Sequence, residues 1–381
     1  MKIILSYIAC VALMLFIFSC GENTESSNPS KSFSLEIIDS VQIDYLGEMM
    51  LLDYDPTADK YLLATADPWE YLEVDNQGKI LLHNKFNTDG IDVVNFPASL
   101  GYFNGDVTVL NNVKGYYVFQ DSVKVGEITV PYPFQIFMKN TNLGLFESGE
   151  RIYYPHPLPG TFSPGDGAKF FHDLYRLPIL ESQDKNTHDT LGVVRLPETS
   201  VLLDGQVHGF LIPAYAMDKD QLIVSTGIDP KIYVYSKVGD KFNYEKTVDV
   251  AIHDWIAPSA FDTPEQFFKE NMKKKPGSLT NIFVAGDYYI VTYNQGISED
   301  LIAQLDPDIR YSWGVFKRDP HLAAIFDKDF KQLASGVQFP LTSNRPMVIN
   351  NKGEVVVSKV AGLSKTEDEG IILYKLKLTE N

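Results

Sequence analysis

Short apolar runs with a two-residue period recur along most of this chain, and they constrain its fold more than any other feature. A clear example is Y-L-E-V-D-N-Q-G-K-I-L-L-H-N-K-F at residues 71–86, which predicts two strands joined by a turn at Gly78. Glycine readily adopts the positive φ that such a turn needs. Because period-2 runs bounded by turn residues indicate strands, we expect a chain built from β-hairpins.

Most of the predicted strands fall into groups of four. Two groups, at residues 49–86 and 101–130, are uninterrupted, and a repeat of about 40 residues is typical of one blade of a β-propeller. Three longer groups follow, in which residues 134–138, 171–180 and 210–213 are among the predicted strands.

The sixth group contains only three predicted strands, at residues 347–349, 354–360 and 370–378. The strand predicted at residues 33–43 can supply the fourth, and such closure removes the exposed edges of an open sheet. The sequence therefore predicts an all-β, six-bladed β-propeller-like domain at residues 33–381, with its last blade closed by the N-terminal strand. A large β-sandwich or two smaller β domains is the alternative.

Two insertions carry helix signals. T-P-E-Q at residues 263–266 combines a capping box with proline in the first turn, and P-G at residues 276–277 is expected to stop that helix. A second short helix is expected within residues 298–305.

The N-terminus precedes any folded domain. Residues 3–18 form an apolar run that is shorter than the ~20 residues needed to span a bilayer. The run ends in I-F-S-C-G, which resembles the lipobox of bacterial lipoproteins. The resemblance implies a signal peptide at residues 1–19 and a lipidated Cys20 carrying diacylglycerol, with fatty acids such as palmitate. An ordinary secretory signal or an uncleaved anchor helix is the alternative.

Residues 20–32 are polar and rich in Ser and Asn, which predicts a flexible tether between lipid and domain. Cys10 and Cys20 are the two cysteines of the chain, so a chain that begins at Cys20 has no disulfide or thiolate metal site. The net charge of −17 argues against a nucleic-acid partner.

A lipobox followed by six degenerate blades resembles the uncharacterised propeller-like lipoproteins of Gram-negative bacteria. The residues that carry the resemblance are Cys20, D-N-Q-G-K-I at residues 75–80 and its echo I-N-N-K-G-E-V at residues 349–355. It implies lipid anchoring in the cell envelope, at the outer membrane on its periplasmic or surface face. It implies no established activity and therefore no catalytic residues.

One constellation of side chains suggests a ligand site. Arg151, Tyr154 and His156 precede a Pro/Gly-rich loop, and His172 and Asp173 follow it. Tyrosine and histidine can stack on and hydrogen-bond a sugar or a peptide, and adjacent His and Asp can act as an acid–base pair. A rigid surface loop followed by a strand-edge pair is the alternative.

Three further segments carry candidate side chains. Arg345 lies before an inner strand, where arginine can hold a carboxylate or phosphate or can tie down a loop. The carboxylates at residues 53–59 are spaced like part of a calcium loop but lack its glycine and distal glutamate, which favours a solvated turn. H-D-W at residues 253–255 could line a pocket, although a packed loop is the simpler interpretation.

The sequence contains no H-E-x-x-H, G-x-S-x-G or Walker motif. We therefore expect a non-enzymatic binding module with a protein or glycan ligand, attached to a membrane through its lipid, and with no cofactor or metal. The alternative is a carbohydrate-active enzyme, a glycosidase or lyase, that uses a central cleft with His156, His172 and Asp173 as candidates. Carboxylates contributed by distant blades would leave no local motif.

Overall fold

The hairpins predicted from the sequence assemble into six antiparallel four-stranded sheets. The computed structural model describes residues 32–65, 69–90, 93–95, 97–111, 114–131, 143–305, 319–340, 342–360 and 370–381. The first strands of neighbouring sheets lie beside one another, so they line the centre and each sheet is one blade of a ring. The prediction of a six-bladed β-propeller is confirmed.

The blades follow chain order. Blade 1 consists of β2 (Met50–Asp55), β3 (Lys60–Ala64), β4 (Glu70–Asp75) and β5 (Ile80–Lys85). Blade 2 consists of β6 (Pro97–Phe103), β7 (Asp106–Asn111), β8 (Gly115–Gln120) and β9 (Val123–Thr129). Blade 3 consists of β10 (Phe146–Ser148), β11 (Arg151–Pro155), β12 (Leu180–Asp184) and β13 (Thr190–Val194). Blade 4 consists of β14 (Ala214–Asp218), β15 (Gln221–Ser225), β16 (Lys231–Val238) and β17 (Lys241–Asp249). Blade 5 consists of β18 (Lys275–Ala285), β19 (Tyr288–Ile297), β20 (His321–Phe326) and β21 (Gln332–Gln338). Blade 6 consists of β22 (Thr342–Ile349), β23 (Val355–Lys359), β24 (Ile371–Glu380) and β1 (Phe33–Ile43).

The N-terminal strand closes the ring as predicted. β1 runs antiparallel to β24 from the Phe33–Glu380 pair to the Ile43–Ile371 pair, with an irregularity after Ile37. The beginning of β1 packs with residues of blade 5 and its end packs with residues of blade 1. One strand therefore completes blade 6 and buries apolar surface against both neighbouring blades.

Two predicted strands were wrong. Residues 171–180 contain most of a helix, α1 (Ala168–Arg176), because Phe170, Phe171 and Leu174 occur at helical spacing and all three are buried. Residues 210–213 are not a strand, and the inner strand of blade 4 begins after Pro213. The strand predicted at residues 134–138 lies outside the described residues.

Both predicted helices are present. In α2 (Pro264–Asn271), the Thr263 hydroxyl oxygen accepts a hydrogen bond from the Gln266 amide at 3.3 Å. This helix ends before residues 276–277, which belong to β18. The second is α3 (Glu299–Ala303). Within the described part of the chain, no helix has the length and apolar character needed to cross a membrane.

The two faces of the ring differ. Since strand direction alternates within a blade, connections after first and third strands reach one face, and those after second and fourth strands reach the other. On the first, which we call the turn face, no connection between strands exceeds five residues. On the second, the insert face, lie α1, α2 and α3. The chain enters the ring on the turn face, where the rings of Phe33 and Tyr288 are 5.5 Å apart.

Ile43 and Ile38 provide a matched test of ring closure. Ile43 is fully buried and Ile38 is 48% exposed in the same strand. We expect Ile43→Ala to lower the free energy of unfolding by about 2–5 kcal/mol, because it removes buried methyl groups and leaves a cavity. Ile38→Ala should change it by less than about 1 kcal/mol. Urea unfolding of both variants checks this, and equal losses would contradict the role given to the end of β1.

Candidate functional site on the insert face

Blade 3 brings a tyrosine, a glutamate and a histidine together at the insert face. The register of β11 and β12 places Tyr154 opposite Glu181. The Tyr154 hydroxyl donates a 2.8 Å hydrogen bond to Glu181 Oε1, and His156 Nε2 lies 3.6 Å from Glu181 Oε2. His156 Nδ1 lies 2.7 Å from the carbonyl oxygen of Pro157. Because a carbonyl only accepts, Nδ1 carries the proton of the neutral ring and Nε2 faces the carboxyl as an acceptor.

Burial governs the charges in this cluster. Tyr154, Glu181 and His156 are all buried. Burial raises the pKa of Glu181, while the hydrogen bond from Tyr154 acts in the opposite direction. Burial lowers the pKa of His156. Both shifts favour the uncharged forms of the two side chains, and the imidazole Nε2 faces the carboxyl. This pairing is suited to proton exchange or to hydrogen bonding of a polar ligand.

The cluster lies where three blades meet. The rings of Tyr154 and of Tyr116 in blade 2 are 6.0 Å apart. The Tyr215 hydroxyl of blade 4 donates to the Gly144 carbonyl just before β10. Leu143 and Leu145 pack in the same apolar cluster as Tyr154. The Tyr154–Glu181–His156 site is therefore held by neighbouring blades, which restricts the orientation of its side chains.

Arg151 lies at the opposite end of β11 from His156. Its Nε donates to Ser182 Oγ at 2.9 Å, and its Nη2 donates to the backbone carbonyls of Ser182 and Asp189 at 3.1 and 3.0 Å. Its charge is also 3.9 Å from Asp184. The guanidinium joins strands and a turn of blade 3, so the structure separates Arg151 from Tyr154 and His156.

His172 and Asp173 lie on α1 and not on the predicted strand. Asp173 makes an ion pair with Lys169 one helical turn away, and the His172 carbonyl accepts a hydrogen bond from Arg176. The two side chains are half-buried parts of this helix. The side chain of Arg345, in β22, lies outside the described residues.

The carboxylates of residues 53–59 accept hydrogen bonds from backbone amides and from neighbouring side chains. Asp55 accepts from the Thr57 amide at 2.9 Å, and Asp59 accepts from the Tyr54 hydroxyl at 2.7 Å. Asp53 accepts from the Tyr102 amide of blade 2 at 2.7 Å, and burial raises its pKa to about 6. Across the described ranges, no three His, Cys, Asp or Glu side chains converge as a metal site requires.

The third sequence candidate, residues 253–255, is on an exposed connection. His253 Nδ1 lies 2.8 Å from Asp254 Oδ2, and both side chains are largely exposed.

The fold has known counterparts. It is similar to that of a DUF4221 family member from Bacteroides vulgatus, with a TM-score of 0.64 and 12% identity over 92% of this chain and 100% of that chain. The shared feature is the fold. The predicted resemblance to an uncharacterised six-bladed propeller is thereby confirmed at that level. No family model and no curated protein matches the sequence.

Two other solved structures are less similar. One is a Bacteroides fragilis protein named as exported, with a TM-score of 0.49 and 11% identity over 92% of this chain and 95% of that chain. The other is a gluconolactonase from Xanthomonas campestris, with a TM-score of 0.45 and 9% identity over 90% of this chain and 91% of that chain. Neither likeness supports an inference about the activity of this chain.

Sequence reasoning missed Glu181. It found Tyr154 and His156, which are two residues apart, but Glu181 is distant in sequence and meets them only through strand pairing. One signal was available, because L-E-S-Q-D places a carboxylate inside a strand whose neighbours are buried. Buried carboxylates are rare unless they have a partner.

Tyr154→Phe tests the hydrogen bond in this site. The change removes the donor to a buried carboxyl oxygen, so we expect the free energy of unfolding to fall by about 1–3 kcal/mol. Tyr244→Phe is the control, because Tyr244 is 42% exposed and its hydroxyl contacts only Thr247 among the described residues. The control should change stability by less than about 0.5 kcal/mol. Equal effects in chemical denaturation would contradict the assignment.

Glu181→Gln tests the raised pKa of the carboxyl. Between the unfolded pKa and the raised folded pKa, the native state binds more protons, so stability is lost as pH rises through this window. Glutamine does not titrate. The quantity to follow is the free energy of unfolding of the wild type minus that of Glu181→Gln, and it should decrease from pH 4 towards neutrality. The same difference for the exposed control Glu198→Gln is the baseline from which that decrease is measured. A difference that increases with pH would contradict the assigned shift.

Proposed function

We propose that this protein is a lipid-anchored binding module of the bacterial cell envelope, tethered through Cys20, whose insert face binds a protein or glycan ligand. The observation that carries the proposal is the asymmetry of the ring: α1, α2 and α3 all lie on one face, and the opposite face has only tight turns. Binding residues are commonly carried by connections that a rigid scaffold positions.

The chemistry of the insert face supports a binding role. Phe171 of α1, Phe210 and Phe268 of α2 form a cluster whose ring centroids are 5.2 to 6.3 Å apart. Phe268 is 41% exposed, and Met272 one helical turn later is 75% exposed. Aromatic and methionine side chains on a rigid platform are typical of surfaces that bind proteins.

The position of Phe33 decides where a tether would join the domain. The folded domain begins at Phe33 on the turn face, so residues 20–32 would connect to the domain at that face and not at the insert face. Two lipid chains or more hold a protein stably at a membrane, and a single chain does so weakly. We propose the outer membrane as the location, on its periplasmic or surface side.

A second candidate function rests on Glu181. A buried carboxyl with a raised pKa, hydrogen-bonded to Tyr154 and facing His156, has the properties of a general acid. Glycoside cleavage needs such an acid, so this arrangement supports a carbohydrate-active enzyme as the second candidate. Hydrolysis or elimination of a glycan that disappears in Glu181→Gln and persists in Glu198→Gln would select the enzyme.

The anchor is tested by the mass of the mature N-terminus and by Cys20→Ala. We expect the mature chain to begin at an acylated Cys20. We also expect the Cys20→Ala variant to leave the membrane fraction, since the variant lacks the thiol that carries the lipid. A mature chain with another first residue, or an unmodified Cys20, would contradict the tether.

The binding role is tested by incubating the chain without Cys20 on glycan and peptide arrays and mapping the bound state by hydrogen exchange. We expect protection of amides on the insert face, including α1 and α2, with the turn face as the internal control. Protection confined to the turn face would overturn the assignment of the binding face. Conversion of a glycan would replace the binding module by the enzyme.

A further inference from the structure

A groove opens between blades 2 and 3 on the outer rim of the ring, apart from the Tyr154–Glu181–His156 site. Its volume is about 750 Å³, within the usual range of ligand sites. One wall is the end of β9 and the residues that follow it, up to Pro131. The other is the sheet of blade 3, where Ile152, Gln183 and Thr190 are neighbours across three strands.

The edge of β9 presents backbone groups to this groove. β9 is the last strand of blade 2, with β8 on one side only. Val130 donates its amide proton to Lys114 on the β8 side, whereas the Thr129 carbonyl accepts from Gln183 across the groove. Adjacent residues of an antiparallel strand direct their backbone groups to opposite sides. The Glu127 N–H and C=O and the Thr129 N–H therefore point to the groove side.

The corresponding junction between blades 4 and 5 is closed. There the side chain of Gln332 bonds both backbone groups of Ala251, with Gln332 Nε2 2.9 Å from the carbonyl oxygen and Gln332 Oε1 2.8 Å from the amide nitrogen. At the junction of blades 6 and 1, Gly78 packs so closely on the Gln42 carbonyl that a Cβ would lie 2.0 Å from its oxygen. At the junction of blades 2 and 3, the Gln183 side chain donates a hydrogen bond to the Thr129 carbonyl, and the neighbouring backbone groups of β9 face the groove.

The side chains of the groove indicate the class of ligand. None of its described lining residues is Phe, Tyr or Trp, and His188 is the one aromatic ring among them, so the groove lacks the large aromatic platform that sugar binding commonly uses. Glu127 pairs with Lys124 at 2.9 Å, and Lys185 pairs with Glu147 at 2.8 Å. Asp189 makes no ion pair with any residue that the structure describes, and its Oδ2 accepts a 2.9 Å hydrogen bond from the Thr187 hydroxyl. The groove therefore combines a partly unpaired strand edge with a carboxylate that lacks an ion-pair partner.

We propose that this groove binds an extended basic segment of a partner protein, which adds to blade 2 as a fifth strand along β9 and places a lysine or arginine against Asp189. Main-chain pairing to an exposed edge provides affinity without requiring one sequence, and alternate side chains provide specificity. The net charge of −17 favours encounter with a cationic partner. This surface is distinct from the insert face, so either proposal can fail without the other.

The experiment uses the full chain in detergent and a displayed library of random 12-residue peptides. The tightest peptide is synthesised and its Kd measured by fluorescence anisotropy. We expect selected peptides to contain Lys or Arg and β-branched residues. Asp189→Lys should weaken binding about tenfold or more by reversing the charge. The control Asp240→Lys, on the exposed turn of blade 4 in the equivalent position, should change Kd less than about twofold.

Peptide N-methylation tests the backbone pairing separately from charge. A strand added at an edge uses the N–H groups of alternate residues only. Methylation of one alternate set should abolish binding, and methylation of the other set should be tolerated. The proposal is overturned by a library that yields no peptide above background, by equal effects of the two methylated sets, or by equal Kd values for Asp189→Lys and Asp240→Lys. Far-UV circular dichroism and the unfolding midpoint verify that each variant is folded.

Discussion

The pairing of the two ends of the chain holds the ring together. β1 and β24 are paired along their whole common length, from Phe33–Glu380 to Ile43–Ile371. Leu35 packs with the cluster of blade 5, while Val41 packs with that of blade 1. Loss of β1 would thus expose the edge of β24 and apolar surface of three blades at once. Every other blade is formed from consecutive strands, so this is the one sheet that depends on a contact between distant parts of the sequence.

Each junction between blades has its own polar contact near the turn face. Around the ring these contacts are Asn351 to Tyr54, Tyr102 to Glu73, Asn104 to Glu147, Lys237 to Ser148, Lys328 to Asp218 and Tyr288 to Glu380. The chemistry changes from one junction to the next, including amide–hydroxyl, hydroxyl–carboxylate and ammonium–carboxylate pairs. The Asn104–Glu147 and Tyr288–Glu380 contacts are exposed, whereas the other four are partly buried, where a polar group is costly without its partner. At those four junctions each blade therefore fits its own neighbour better than a different blade. The degenerate repeats therefore still encode one order of blades.

Local sequence predicted most of this fold and little of the site. The hairpin at Gly78 was predicted because its turn is specified by adjacent residues, and Gly78 has a φ of +92°. The strand predicted at residues 171–180 failed because the apolar run is ambiguous between periods of 2 and 3.6, and packing on the insert face selected the helix. Tyr154 and His156 were found because they share one short segment. Glu181 was missed because its place beside them is set by the register between two strands separated by a long insertion.

The entry of the chain at Phe33 has a mechanical consequence. If the protein is tethered through Cys20, any pull between the membrane and a ligand on the insert face enters the ring through β1. The end of β1 that a tether would pull on is at the Phe33–Glu380 pair, so such a load acts first on the pairing of β1 with β24. Resistance to forced opening is governed by the unfolding rate and not by equilibrium stability. The strand that completes the ring would then also limit the force that the anchored protein withstands.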